Sequence, residues 1–187
     1  MRFAKINRKT NETDVLVEVD LDEKGCQIAT GIPFFDHMLE IFAFHSAIRI
    51  VVKAEGDLKH HLIEDVGITL GEAVKKALGE KKGITRFGSA IVPMDESVAI
   101  CGVDISGRGV FIFDGEVGGA VEGVDSLDLL HFLETFCRVA GINTYISVKG
   151  KNTHHIFEAI FKALAISFRN AIRVEGGSVR STKGYLG

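Results

Sequence analysis

The 187-residue chain is 46% hydrophobic with a formal net charge of -3, so it can bury one ample core or two small ones and exerts no bulk attraction on nucleic acid or anionic membranes. It holds no apolar run of about 18 residues, no apolar centre in its N-terminal stretch and no CxxC among Cys26, Cys101 and Cys137. These absences argue against a membrane span, a signal peptide, a disulfide framework and a thiolate zinc site, and make the cytoplasm the expected compartment.

The first element is expected at Thr13 to Leu21, where Val15, Val17, Val19 and Leu21 alternate with polar residues in the period of a strand with one wet face. Asp22-Glu23-Lys24-Gly25 turns it. After Gly31-Ile32-Pro33 the spacing of Phe35, Met38, Leu39 and Phe42 predicts a helix from Phe34 to His45, started by Pro33 and carrying His37. A β-branched strand, Ile48 to Ala54, is broken at Glu55-Gly56-Asp57. A helix from His60 to Leu78 then buries Val66, Leu70, Ala73, Val74 and Ala77. The second half runs in the same order. Ser89 to Asp114 is strand-rich, with Val98, Ile100, Val103 and Ile105 before the turn Ser106-Gly107-Arg108-Gly109. Leu127 to Val139 is helical and carries His131, Ile142 to Val148 is a strand, and His154 to about Arg173 is a helix.

The two long helices open on one motif written twice, His60-His61-Leu62-Ile63-Glu64 and His154-His155-Ile156-Phe157-Glu158, 94 residues apart. Shifting the chain by that interval also superposes His37 on His131, Glu40 on Glu134, Gly56 on Gly150, Gly83 on Gly177 and Arg86 on Arg180, without gaps. The expectation is an α+β fold built as an internal duplication, each half a sheet with two helices on one face. Residues 1–187 then form one catalytic unit of two repeats, about 1–93 and 94–187.

Six of the seven histidines fall into two triplets, His37, His60, His61 and His131, His154, His155, each accompanied by a glutamate, Glu64 or Glu158. On a helix the first histidine of a pair shares a face with the glutamate four residues on, while the two histidines diverge by about 100°. Each pair is therefore expected to be split between two metal ions. Imidazole and carboxylate ligands suit Mn, Fe, Co or Zn better than Mg or Ca, and an octahedral ion retains open positions for a substrate where tetrahedral zinc would not.

These motifs, with Gly31-Ile32-Pro33-Phe34-Phe35-Asp36-His37-Met38-Leu39, Gly83-Ile84-Thr85-Arg86-Phe87-Gly88, Asn152 to Ala163 and Ser181-Thr182-Lys183-Gly184, make the chain resemble the imidazoleglycerol-phosphate dehydratase family of histidine biosynthesis over essentially its whole length. The resemblance implies a fold like domain 2 of ribosomal protein S5, two Mn2+ ions per active site, and trimers assembled into a 24-subunit shell with sites shared between subunits. It implies a metal-dependent hydro-lyase that converts D-erythro-imidazole-glycerol phosphate to imidazole-acetol phosphate and water, with no nucleic-acid or membrane partner. In that reaction two metals on the two ring nitrogens make the ring an imidazolate able to expel the side-chain hydroxyl. By the same carry-over Glu12, in Asn11-Glu12-Thr13, matches the substrate-contacting and catalytic glutamate, and His45 a substrate contact. Arg86, Arg108, Lys162, Ser181, Thr182 and Lys183 match substrate-binding positions, with the donors a phosphate dianion requires. Arg180 is not promoted to that set. The loop Asp57-Leu58-Lys59 looks shorter than the family's and lacks its common aspartates, which bears on partners for His60 and His61 but not on the ligands. The competing readings are a dinuclear metallohydrolase releasing phosphate, and structural ions that join subunits without catalysis.

Overall fold

The computed structural model describes residues 2–186. The first half contains β1 (Phe3–Lys9), β2 (Thr13–Asp20), β3 (Gly25–Ala29), α1 (Pro33–Ser46), β4 (Arg49–Gly56) and α2 (Lys59–Leu78). The second contains β5 (Phe87–Met94), β6 (Ser97–Asp104), β7 (Phe111–Asp114), a short hairpin of β8 (Ala120–Val121) and β9 (Val124–Asp125), α3 (Ser126–Ala140), β10 (Asn143–Lys149) and α4 (Thr153–Ile172). The sheets run β1-β2-β4-β3 and β5-β6-β10-β7. In each, three strands are antiparallel neighbours and the last joins in parallel. The duplicated α+β fold is thus present strand for strand.

The repeat is not free of gaps, however. The interval of 94 holds from α1 through α2, but β2 precedes β6 by only 84 residues. The second half makes up the difference with the segment carrying β8 and β9, between β7 and α3. Two expectations change as a result. The second sheet begins with β5 at Phe87, a strand that crosses the expected division near residue 93. Arg86-Phe87 therefore corresponds to Arg2-Phe3 at the head of β1, and not to Arg180.

In β2 the alternation reads as expected, with Val15, Val17 and Val19 fully buried. In β6 the same face is inner, the 84-residue interval carrying Val15, Val17 and Val19 onto Ala99, Cys101 and Val103, but Ala99 and Cys101 are small and the larger Ile100 is left 45% exposed. The small residues match how close α4 lies to this sheet. A Cβ on Gly88 of β5 would stand 1.9 Å from the Ser167 carbonyl oxygen, and the Ser167 hydroxyl donates to the Cys101 carbonyl at 3.2 Å. So close an approach of the helix leaves room for glycine at position 88 and small side chains such as Ala99 on this part of the inner face. Gly88→Ala is accordingly expected to cost about 1–3 kcal/mol, the range for forcing extra volume into a packed interior, read from the midpoint of chemical denaturation.

The four helices form a common layer. α2 lies on the first sheet and against α3, while α4 lies on the second sheet and against α1. Aromatic contacts lace the halves together: Phe35 meets Phe132 at 5.0 Å, and Phe42 meets Phe136 at 5.6 Å and Phe168 at 5.8 Å, while within the second half Phe132 stacks on Phe161 at 6.0 Å between ring centroids. The shorter helix of each half, α1 or α3, thus packs largely on the long helix of the other half. No helix of the described residues is long and apolar enough to cross a membrane.

Candidate metal centre

Pro33 supplies the first turn of α1, and His37 follows one turn later. The Asn152 side chain caps α4 by accepting the His154 backbone N–H at 2.9 Å. These two helix starts bring His37, His154 and Glu158 together. Glu158 Oε1 lies 3.4 Å from His37 Nε2 and 3.3 Å from His154 Nε2, and the three ligand atoms fall within 4.8 Å of one another. The pseudo-equivalent set joins α2 to α3: Glu64 Oε1 lies 3.4 Å from His131 Nε2, and the His60 and His131 rings stack at 5.8 Å. Each set is a histidine pair's first member, its helix-mate glutamate and a histidine from the opposite half.

His61 and His155 turn away from these sets, as the divergence along a helix requires. His61 Nδ1 lies 2.9 Å from Asp57 and 3.7 Å from Glu12 Oε2. His155 Nδ1 lies 2.7 Å from Glu96 Oε2. Within one chain the sets are therefore three residues each, not the four expected from counting.

The donors fit a borderline divalent ion. His60, His61 and His155 each give Nδ1 to a carboxylate, at 2.7 Å from Asp128, 2.9 Å from Asp57 and 2.7 Å from Glu96, which fixes the ring and frees Nε2 for a metal. Asp57 itself thus supplies a partner in the shortened loop, and Asp128 of α3 supplies the other. Hydrogen bonds donated to Asp57 and Glu96 push the pKa values of the His61 and His155 imidazoles up from their ordinary values. Glu96 is in turn held down at about 2 by His155 and by the Asn152 backbone N–H. Burial works to raise the Glu158 carboxyl, but the Lys162 hydrogen bond, with help from His37 and His154, brings it down to about 2. That ligand is an anion at neutral pH.

The remaining site residues divide into two groups. Lys162 Nζ lies 2.5 Å from Glu158 Oε2 and 3.2 Å from Met94 Sδ. His45, at the end of α1, is pushed below its ordinary value first by burial and then by Lys162 and Arg169. Lys162 thus stands beside the first metal set, and His45, two turns beyond His37 on α1, lies within reach of the Lys162 charge. Arg86, Arg108, Ser181, Thr182 and Lys183 line a separate cavity of about 700 Å³. There Asp104 receives Arg86 Nε at 2.7 Å and Nη2 at 3.2 Å, and Nη1 donates to the Arg180 carbonyl at 2.8 Å. Arg86 has φ 72°, a left-handed conformation that a non-glycine residue holds only where its surroundings impose it. The structure does not bring Lys162 to this cavity.

Glu12 sits in the turn between β1 and β2. Its counterpart at the 84-residue interval is Glu96, in the turn between β5 and β6. The two are used differently. Glu96 takes hydrogen bonds from His155, Ser97 and the Asn152 N–H, whereas the Glu12 carboxylate, among the described residues, makes no hydrogen bond and pairs only with His61 at 3.7 Å, its side chain 56% exposed. Sequence reasoning missed Asp57, Asp104, Asp128 and Glu96 as partners. Only Glu96 had a readable signal, the shorter interval.

Comparison with known proteins identifies the family. The family model described as imidazoleglycerol-phosphate dehydratase matches residues 30–168. The chain is 53% identical to the imidazoleglycerol-phosphate dehydratase of Archaeoglobus fulgidus over 184 residues, 98% of this chain and 99% of that one. It is 48% identical to that of Methanosarcina mazei over 191 residues, covering both chains fully. The crystal structure of the Pyrococcus furiosus protein superposes with a TM-score of 0.86 at 40% identity, covering 97% of this chain and 100% of that one. The Staphylococcus aureus structure gives the same TM-score at 33% identity, covering 92% and 99%.

Proposed function

The chain belongs to the imidazoleglycerol-phosphate dehydratase family and is a hydro-lyase of histidine biosynthesis, and from this premise we propose how its residues divide the work. The substrate is D-erythro-imidazole-glycerol phosphate and the products are imidazole-acetol phosphate and water. His37, His154 and Glu158 would hold one divalent transition ion, Mn2+ in the first instance, and His60, His131 and Glu64 a second. His61 and His155 complete the sets of neighbouring copies, in an assembly of trimers built into a 24-subunit shell in the cytoplasm. What supports this reading above all is the His37–His154–Glu158 set, whose ligand atoms lie within 4.8 Å of one another, and its looser counterpart at His60, His131 and Glu64, with two further histidines held at Nδ1 by carboxylates.

When bound, the ions supply the Lewis acidity that lets an imidazole ring carry negative charge. The protein's own groups do the rest. Arg86, Arg108, Ser181, Thr182 and Lys183 seat the phosphate, with Asp104 holding the Arg86 fork in position. Lys162, beside the first metal set, and His45 face the substrate's polar chain. Glu12 accepts the proton from the carbon next to the departing hydroxyl, and its exposed carboxylate, unclaimed by strong hydrogen bonds, leaves it free to do so.

The test is metal removal. Chelated protein is expected to lose ketone formation and regain it with Mn2+, with particle size followed in parallel. Undiminished turnover after complete stripping, or stoichiometric inorganic phosphate in place of an enolisable ketone, would overturn the proposal.

A further inference from the structure

Duplication makes the two metal sets alike, and one residue makes them unlike. Laying α2 on α4 carries Glu64 onto Glu158 and, a turn later, Ile68 onto Lys162. A lysine four residues after a glutamate shares its helix face, and Lys162 Nζ reaches Glu158 Oε2 at 2.5 Å. The carboxylate is thereby divided. Oε1 faces His154 and His37 at 3.3 and 3.4 Å, and Oε2 is spent on the ammonium. Glu64 approaches His131 through Oε1 at 3.4 Å. Its other oxygen has no hydrogen bond or ion pair among the described residues, because Ile68 offers none.

The surroundings add to this difference. Asp128 stands 2.7 Å from His60 Nδ1, whereas Glu122, at the tip of the β8–β9 hairpin, stays 3.7 Å from His154 Nδ1. A dication entering the His60 set meets an undivided carboxylate with a second one close behind. In the His37 set it meets a fixed positive charge a few ångströms away, and like charges at that range repel strongly in a partly buried site. The closer clustering of His37, His154 and Glu158 does not reverse this order. Those short distances are contacts to Glu158 that an incoming ion must displace.

Resting on the reading that these sets hold divalent ions, we infer that they hold them unequally. The His60–His131–Glu64 set binds the tighter ion and fills first. The His37–His154–Glu158 set holds the exchangeable ion, because Lys162 competes for its carboxylate. The duplicated centre therefore has one anchoring position and one labile position.

The experiment is a Mn2+ titration of chelator-stripped protein in its native assembly, following the free aqua ion by electron paramagnetic resonance. Two steps are expected, with Kd values separated by about tenfold or more. Lys162→Met should tighten the weaker step until the two merge, and Lys162→Arg, which keeps the charge, should preserve the gap. Glu64→Gln should remove the tight step and Glu158→Gln the weak one, with circular dichroism and particle size verifying each fold. Equal steps in the unaltered protein, a Lys162→Met titration identical to it, or loss of the tight step in Glu158→Gln would overturn the inference. Absence of any Mn2+ uptake by the unaltered protein would instead overturn the metal reading beneath it.

Discussion

Glu12→Gln is expected to lower kcat by about 10²–10⁴-fold, the usual contribution of a positioned general base, while Mn2+ content and particle size stay unchanged. Glutamine keeps the shape and polarity of the side chain but cannot take up a proton. Metal content should hold because Glu12 is in neither metal set; its nearest titratable neighbour, His61, is 3.7 Å away and is held more closely by Asp57. The contrast with Glu96 makes the prediction specific. Two carboxylates occupy equivalent turns, yet Glu96 is committed to His155, Ser97 and the Asn152 N–H, and cannot exchange a proton with substrate without releasing them. Steady-state kinetics with measured metal content decides the matter, and a fully active Glu12→Gln protein would remove Glu12 from the chemistry.

The second large effect should come from Asp65, one residue beyond Glu64 and only 7% exposed. Its carboxylate receives Arg8 Nε of β1 at 2.8 Å and the Thr13 hydroxyl at the head of β2, and its backbone oxygen receives the Thr69 hydroxyl at 2.6 Å. The clamp ties the hairpin that bears Glu12 to the helix that bears His60, His61 and Glu64. Asp65→Ala would leave the Thr13 hydroxyl and the Arg8 guanidinium without their acceptor. Breaking a fully buried pair costs about 3–5 kcal/mol; with the Arg8 side chain 36% exposed, water makes up part of the loss, and a destabilisation of about 2–3 kcal/mol is expected. Denaturation measures that term. A fall in kcat in the protein that remains folded measures the displacement of Glu12. A change below about 0.5 kcal/mol, the range of an ordinary surface substitution, would show that the clamp holds nothing.

Most of the helical framework was legible in the sequence because each helix carries a 3.6-residue apolar stripe, and the start of α1 was marked by Pro33. The metal-type residues were legible because the motif is written twice. The β1 and β3 strands were not, since their exposed, mixed faces leave no clean alternation. The inner face of β6 was hidden for a different reason: Ala99 and Cys101, which line it, are less hydrophobic than the outward Ile100. Lys162 was grouped with Arg86 and Arg108 through the family resemblance, although its place four residues after Glu158 already set the two on one helix face. Asp104 and Asp128 are ordinary acidic residues in sequence and become partners only when separate segments meet, whereas Asp57 reaches His61 from four residues before it.

The crossing of helices between the halves bears on how the chain must be made. Phe42 finds Phe168, and α1 finds its packing surface on α4, only when nearly the whole polypeptide exists. A chain emerging from the ribosome completes its first sheet early, but the aromatic face of α1 waits for the last helix before it leaves water. Contacts of such long sequence separation slow folding and prolong the exposure of sticky surface. A severed first half would be left with Phe35 and Phe42 facing solvent, so the ancestral unit, if it was a single half, must have lived as a pair. The duplication joined two copies of a motif into a single folding event.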